Sequence, residues 1–279
     1  MMACTALMTQ TAQPSYARLL RPNNVSPGVR QLQHWLETAW RTGYDKEGAA
    51  HFKRHIVGTR KWIGTADIWV VFSYLGIPAQ LVDFRKNRNA PTALQEWVKK
   101  YFSEAENSRS AMTAFDLLNS SPVLIANKLP IILQHAGHSR TIVGYEQDKS
   151  GGVNLLLLDP AKTLSEEVRQ KAISLLQPDL GTKIPRGITA GFVQKMMKRT
   201  VTGDIPPRVD EVVNEVPANN VQSVVVDEKS AGSLLSAVRV NLRNLSRKDE
   251  YQLLYFPLEA PLSEEQRMRR KVVTSDIGC

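Results

Sequence analysis

Cysteine is almost missing: the chain has two in 279 residues, Cys4 and Cys279, one near each end. Such a pair supports neither a disulfide framework nor a four-thiolate zinc site, and no bridge between the two ends is expected. Long apolar runs are missing too. No stretch approaches the ~20 residues that a membrane-crossing helix needs, so no membrane partner is expected. The early apolar residues are broken by Thr5, Thr9, Gln10 and Thr11, which leaves no basic-then-apolar leader. The reducing cytosol or the nucleus is the compartment these features predict.

What is present points to an ordinary buried core, with 42% hydrophobic and 23% charged residues. The length exceeds the usual ~100–200 residues of a domain but is within reach of one large domain. The formal charge of +9 comes from 36 basic residues interspersed with 27 acidic ones. No arginine–aromatic repeat accompanies them, so nucleic acid is expected only as an accessory partner. Arg239, Arg243, Arg247 and Lys248, and again Arg267, Arg269, Arg270 and Lys271, read first as solvated helix faces.

Periodicity divides the chain. Helices are predicted over 3–13, over 29–42 from the spacing of Val29, Leu32, Leu36, Ala39 and Trp40, and over 45–54. A further helix, 64–75, is apolar nearly all round and should be buried, with Asp67 in its first turn and Gly76 and Pro78 as its stop. Strand 80–84 and a helix over 92–102, after Pro91, follow. Strands 130–135 and 139–146 flank Ala136-Gly137, and Val153–Leu158 is a leucine-rich strand expected at the centre of a sheet, buried on both faces. A helix over 164–176 leads into residues 177–230, which read as a large, flexible surface insertion rich in proline and polar tracts. A helix over 234–245, a strand over 251–256 and a helix capped by Ser263 complete the chain. Helices first, then consecutive strands, then helices again predict an α+β fold.

Chemistry concentrates in Gln134-His135-Ala136-Gly137-His138-Ser139-Arg140 and in Leu157-Leu158-Asp159-Pro160. If the two strands make one hairpin, its midpoint falls between Asp148 and Lys149, and residues equidistant from the turn face each other. His138 and Asp159 then stand side by side at the open end. A carboxylate there can hold one imidazole nitrogen and leave the other as a general base. The same residues also fit ordinary strand-end and turn positions, and His135, His138 and Asp159 could together ligate a metal. His34, His51 and His55 lie in charged helical stretches and read as solvated. The spacing of His51 and His55 lacks the glutamate of a metalloprotease motif.

Several blocks resemble the ubiquitin-fold-modifier-specific peptidase family, and within it the zinc-finger-bearing deubiquitinases and their short fungal relatives. They are Trp40-Arg41-Thr42-Gly43-Tyr44-Asp45, Gly58-Thr59-Arg60-Lys61-Trp62-Ile63-Gly64, Leu81-Val82-Asp83-Phe84, the segment 130–141 around His138, and Leu157-Leu158-Asp159-Pro160. Tyr251-Gln252-Leu253-Leu254 and Leu262-Ser263-Glu264-Glu265 add to the likeness. The resemblance implies a papain-like cysteine peptidase fold and thiol-dependent cleavage after the C-terminal glycine of ubiquitin or a ubiquitin-like modifier. It implies no cofactor. It makes His138 the general base, Asp159 its orienting carboxylate and Gln134 a polar residue near the oxyanion.

The family's nucleophile stands in a Gly-Cys-Gly-aromatic-Arg-Asn block ahead of the first helix, and this chain has no such block. Met1–Met8 resembles the helix body that follows it, so the nucleophile is expected upstream of Met1. The chain is then a single, N-terminally incomplete peptidase-like domain over 1–279, inactive as it stands. Cys4 is expected to face the core, and a buried apolar thiol is unreactive. A pseudoenzyme that binds the modifier, or a basic nucleic-acid-associated module, are the alternatives.

Overall fold

The computed structural model describes residues 2–20, 26–103, 126–148, 150–170 and 235–278. The chain forms two compact units: Met1–Leu164 together with Lys229–Cys279, and Ser165–Glu228. In the second unit residues 166–170 are helical, within the helix expected over 164–176. The remainder of that helix, the insertion at 177–230 and Cys279 lie outside the described residues.

The first unit opens with helices α1 (Met2–Met8), α2 (Ser15–Leu20), α3 (Val29–Arg41), α4 (Lys46–His51) and α5 (Thr65–Leu75). The helix expected over 3–13 therefore stops at Met8, and α2 follows after Pro14. In α3, Leu32, Leu36, Ala39 and Trp40 are buried along one stripe. Asp45 caps α4 by accepting from the Gly48 N–H at 3.0 Å. Seven of the residues of α5 are buried, Trp69, Val70, Val71 and Phe72 among them, as its all-round apolarity predicts. It closes at Gly76 in the left-handed conformation, φ +79, which glycine adopts at no steric cost.

The sheet comprises β1 (Gln80–Phe84), β2 (Ile131–His135), β3 (His138–Gln147), β4 (Val153–Leu158), β5 (Arg239–Asn241), β6 (Tyr251–Tyr255) and β7 (Asp276–Ile277). Among the described residues, helices α6 (Ala90–Ser103), α7 (Leu242–Leu245) and α8 (Glu264–Arg269) complete the unit. Strand order is β5-β4-β3-β2-β6-β1-β7, and every pairing is antiparallel except β1 with β7. The fold is α+β, of the kind expected for a papain-like peptidase. Alternation along the strands sends side chains to two cores. On the first face Leu81, Ile132 and Leu254 pack with α1, α2, α3 and α5, around Leu7, Tyr16, Leu36, Trp69 and Phe72. On the second, Val82, Ile131, Leu133, Ile142, Leu155, Leu157 and Leu253 pack with Leu94, Val98 and Phe102 of α6.

Three expectations need correcting. Helix α6 begins at Ala90, so Pro91 sits inside its first turn, where a missing N–H breaks no helical hydrogen bond. Strand β4 lies one place from the sheet edge, with Leu155 and Leu157 buried and Leu156 and Leu158 half-buried. The segment expected as one helix over 234–245 is helical at 235–236, then forms β5, which pairs with β4, and then α7, with residue 234 outside the described residues. Asn241 ends the strand and caps α7, accepting from the Asn244 N–H at 3.0 Å.

The arginines read as solvated are in part structural. Arg267 donates to the Tyr74 carbonyl at 2.7 Å. Arg270 donates to the Ala79 carbonyl at 2.7 Å and lies over the Trp69 ring, 5.3 Å from its centroid. Both pin α8 to the end of α5. Arg239 is bound to Glu146 through two nitrogens, while Arg269 makes an exposed pair with Glu265.

Candidate active site

Two residues connect β2 to β3, and both have positive φ: Ala136 at +43 and Gly137 at +75. That is the two-residue turn whose twist matches a hairpin. For Ala136 the left-handed backbone costs about 1 kcal/mol. The turn sets His135 opposite His138, with Leu133 opposite Arg140. His138 and Arg140, two residues apart, share the face of buried Ile142.

Pairing of β3 with β4 does not follow the symmetric hairpin expected. Gln147 pairs with Val153 around a five-residue connection held by Asp148, whose Oδ1 accepts from the Ser150 and Gly152 N–H groups, both at 2.8 Å. A bulge at Val143 then takes one residue out of register, leaving Thr141 opposite Leu158. Continued by one step, that register sets Arg140, not His138, opposite Asp159. A shift of two preserves the face, because side chains alternate with period two. His138 still reaches the carboxylate from the diagonal position. Its Nε2 lies 3.0 Å from Asp159 Oδ1, and Arg140 Nε donates to Oδ2 at 3.0 Å. The Ala161 N–H adds a third bond, to Oδ1 at 2.9 Å.

Burial pushes the Asp159 carboxyl upward, but the Ala161 N–H, His138 and Arg140 together outweigh it and hold its pKa below the ordinary carboxylate value. Asp159 is thus a fixed anion with both oxygens committed. His138 Nδ1 has no hydrogen-bond partner among the described residues. The imidazole is half-buried, held at one nitrogen and open at the other. His135 behaves differently. Its ring packs edge-on against Tyr251, 6.0 Å between centroids, and its buried Nδ1 has no hydrogen-bond partner among the described residues. Burial first, then Arg140, His138 and Lys248, lower its pKa.

Gln134 lies on the other face, next to the start of α5. Its Oε1 accepts from the Thr65 N–H at 2.6 Å and stands 3.1 Å from the Thr65 hydroxyl. At the same helix end, Asp67 Oδ2 accepts from the Gly64 N–H at 2.8 Å, and burial raises its pKa. A cleft of about 920 Å³ meets the His138–Asp159 pair from the carboxylate side. Its walls include Met2 and Ala3 of α1, Ser139, Arg140, Asp159 and Lys248; His138 contributes none.

Cys4 is 1% exposed, packed in the first-face core, and its thiol pKa is raised chiefly by burial. It is inert where it stands. Among the described residues no three His, Cys, Asp or Glu side chains gather where a metal ion could be held, and no helix is long and apolar enough to cross a membrane. Sequence reasoning brought His138 and Asp159 together and missed Arg140. The available signal was its position, two residues after His138 on the same strand face.

The model of peptidase family C78 matches residues 2–179. The human zinc finger-containing ubiquitin peptidase 1 is 31% identical over 166 residues, covering 56% of this chain and 27% of the relative. The bovine protein of that name is 36% identical over 138 residues, 48% and 22% of the two chains. Ubiquitin carboxyl-terminal hydrolase mug105 of Schizosaccharomyces pombe is 32% identical over 170 residues, 58% of this chain and 60% of that one. The chain thus spans about a quarter of the mammalian relatives' length and less than two thirds of the fungal one. These matches bear out the resemblance read from the sequence blocks. The family model covers more than half of the 279 residues, and the chain belongs to peptidase family C78.

Proposed function

We propose that this chain carries the general-base half of a thiol-dependent hydrolase that cleaves after the C-terminal glycine of ubiquitin or a ubiquitin-like modifier. One observation carries the reading: His138 is bound through Nε2 to an anchored carboxylate, with Nδ1 left open. A neutral imidazole so held can take the proton of an attacking thiol at Nδ1, and Asp159 stabilises the imidazolium that results. The proton then passes from Nδ1 to the leaving amine. Gln134 would donate to the carbonyl oxygen as negative charge develops on it. The attacking thiol stands, on this reading, at the N-terminal end of α1, whose Met2 and Ala3 line the cleft; Cys4, one turn further on and buried, does not serve.

The test is covalent labelling by ubiquitin, and by related modifiers, bearing a C-terminal electrophile. This chain is compared with one extended upstream through its reading frame. Labelling of the extended chain that vanishes with His138→Ala is the expected result. Labelling that survives His138→Ala would sink the assigned base, and labelling of Cys4 would sink the placement of the nucleophile. Binding of the modifier by both chains without labelling would favour the second reading, a modifier-binding pseudoenzyme. That reading has one observation in its favour: the thiol among the described residues is the buried Cys4.

A further inference from the structure

On the first face of the sheet, three polar side chains form a row across neighbouring strands. Gln134 of β2 stands opposite Gln252 of β6, and Gln252 opposite Asp83 of β1. Thr65, the first residue of α5 and 1% exposed, bonds to Gln134 and Gln252. Two of these side chains are amides, whose oxygen and nitrogen ends are interchangeable in shape and opposite in chemistry. The row therefore needs something to set which end points where.

Asp83 accepts at both of its oxygens. Its Oδ1 takes a hydrogen bond from Gln252 Nε2 at 2.7 Å, and its other oxygen accepts from the Ser275 hydroxyl. With its nitrogen committed there, Gln252 presents Oε1 to the Thr65 hydroxyl, and the two are hydrogen-bonded. The hydroxyl has one hydrogen, and that bond uses it. The remaining Thr65 donor, the backbone N–H, points at Gln134 Oε1 at 2.6 Å. A backbone N–H at the first position of a helix has no partner within the helix and cannot accept. Gln134 must therefore turn its oxygen inward, and its Nε2, an N–H₂ donor, is the end left over. Gly64 leaves the amide room to sit against the start of the helix: a Cβ there would lie 3.1 Å from Nε2 and 3.2 Å from Oε1.

We infer that Thr65, through its backbone N–H and with Gln252 and Asp83 behind it, is the positioning residue that locks the Gln134 carboxamide with Nε2 outward as a ready donor. The inference deepens the proposed function and rests on it for what Nε2 serves, an oxygen that gains negative charge. The lock itself is a statement about donors and acceptors.

Thr65→Pro tests it. The substitution removes the N–H at the helix position where proline is best tolerated, and Gly64 already has the extended backbone, ψ −178, that a following proline requires. Thr65→Ala keeps the N–H and loses only the hydroxyl. In this chain, ¹⁵N relaxation of the Gln134 side-chain amide should report an ordered group in the wild type and in Thr65→Ala, and a mobile one in Thr65→Pro. An amide equally ordered in Thr65→Pro overturns the inference. Should that variant fail to fold, hydrogen exchange of the Thr65 N–H decides. Protection retained in Gln134→Glu and lost in Gln134→Ala is expected; protection unchanged in Gln134→Ala overturns the lock. In the upstream-extended chain, Thr65→Pro should lower kcat about tenfold or more with KM within about twofold. Ordered Gln134 in an extended chain that never labels would break the proposed function and leave the lock standing.

Discussion

Each face of the sheet carries one carboxylate that organises the side chains around it, and the two do so to different ends. Asp159 on the second face is met by two cationic or potentially cationic partners, Arg140 and His138, and a backbone N–H. Asp83 on the first face is met by an amide and a hydroxyl, Gln252 and Ser275. Around Asp159 the field is strong, and what it fixes is a charge and a tautomer. Around Asp83 the partners are neutral, and what is fixed is a direction: the end of an amide three side chains away. A base needs the first kind of support and a neutral donor the second. The difference predicts which changes are costly.

Asp159→Asn should have the largest effect. The substitution keeps the shape, but an amide has to present its NH₂ to one of two neighbours that both need an acceptor. Where the NH₂ faces His138, the imidazole loses the acceptor that leaves Nδ1 free to accept; where it faces Arg140, the guanidinium no longer holds the side chain in place. A carboxylate-to-amide change at such a position lowers turnover on the order of 10⁴-fold. Hydrolysis of a modifier–fluorophore amide by the upstream-extended chain measures it. Loss of less than tenfold would show that Asp159 does not orient the base.

Gly64→Ala comes next and tests the other face. The backbone there is extended, φ −101, so alanine is admissible. Its Cβ would press on the Gln134 amide at 3.1 Å. A shift of a few tenths of an ångström in a positioned donor should cost turnover about tenfold while stability stays within ~1 kcal/mol. Unchanged turnover would mean that the Gln134 amide plays no part in the rate.

The two faces were not equally legible in the sequence. The meeting of His138 with Asp159 could be read because strand alternation survives an even error: the connection at 148–152 and the bulge at Val143 displaced the register by two residues, and the face was kept. An error of one would have turned His138 to the other face. The row on the first face could not be read, since Thr65 is 69 residues from Gln134 and 187 from Gln252. No local pattern encodes such a contact. Helix α5 was visible from its length and apolarity, whereas α2, six residues beginning at Ser15 just after a proline, presented too little period to detect. The β5–α7 segment misled because valine and leucine among arginines fit either period over so short a span.

His135 offers a sharper probe of the charge gathered near Asp159. Burial, then Arg140, His138 and Lys248, depress its folded pKa, with Asp159 opposing them. A base depressed on folding is protonated first in the unfolded chain. As pH falls through the unfolded value, ~6.5, the unfolded state gains a proton that the native state does not, and stability drops until the folded pKa is reached. Denaturant titrations between pH 7 and 5 should show this slope, at most about 1.4 kcal/mol per pH unit for one proton. His135→Gln should flatten it. Asp159, with its folded pKa lowered, adds stability that is present above the unfolded value, ~3.9, and is lost only as pH falls below it. The two groups therefore act in separate windows. A slope between pH 7 and 5 that survives His135→Gln would mean that another group carries it.

The smallest effect asks whether the faces are separable at all. Leu253 and Leu254 are neighbours on β6, both fully buried, and they belong to different cores. Each leucine-to-valine change removes one methylene, worth ~0.8 kcal/mol, and the two side chains share no cavity because the sheet lies between them. Urea unfolding should give losses of about 1 kcal/mol for each and a double variant that sums them within ~0.5 kcal/mol. A larger coupling would have to travel through the strand backbone. That same strand holds Gln252 against Asp83 on one face and Tyr251 beside His135 on the other. Additivity would mean that the amide row and the charged pair can be tuned independently, one mutation at a time. Strong coupling would mean that a change aimed at either also moves the other, and then the contrast between Asp83 and Asp159 could be measured only in double-mutant cycles.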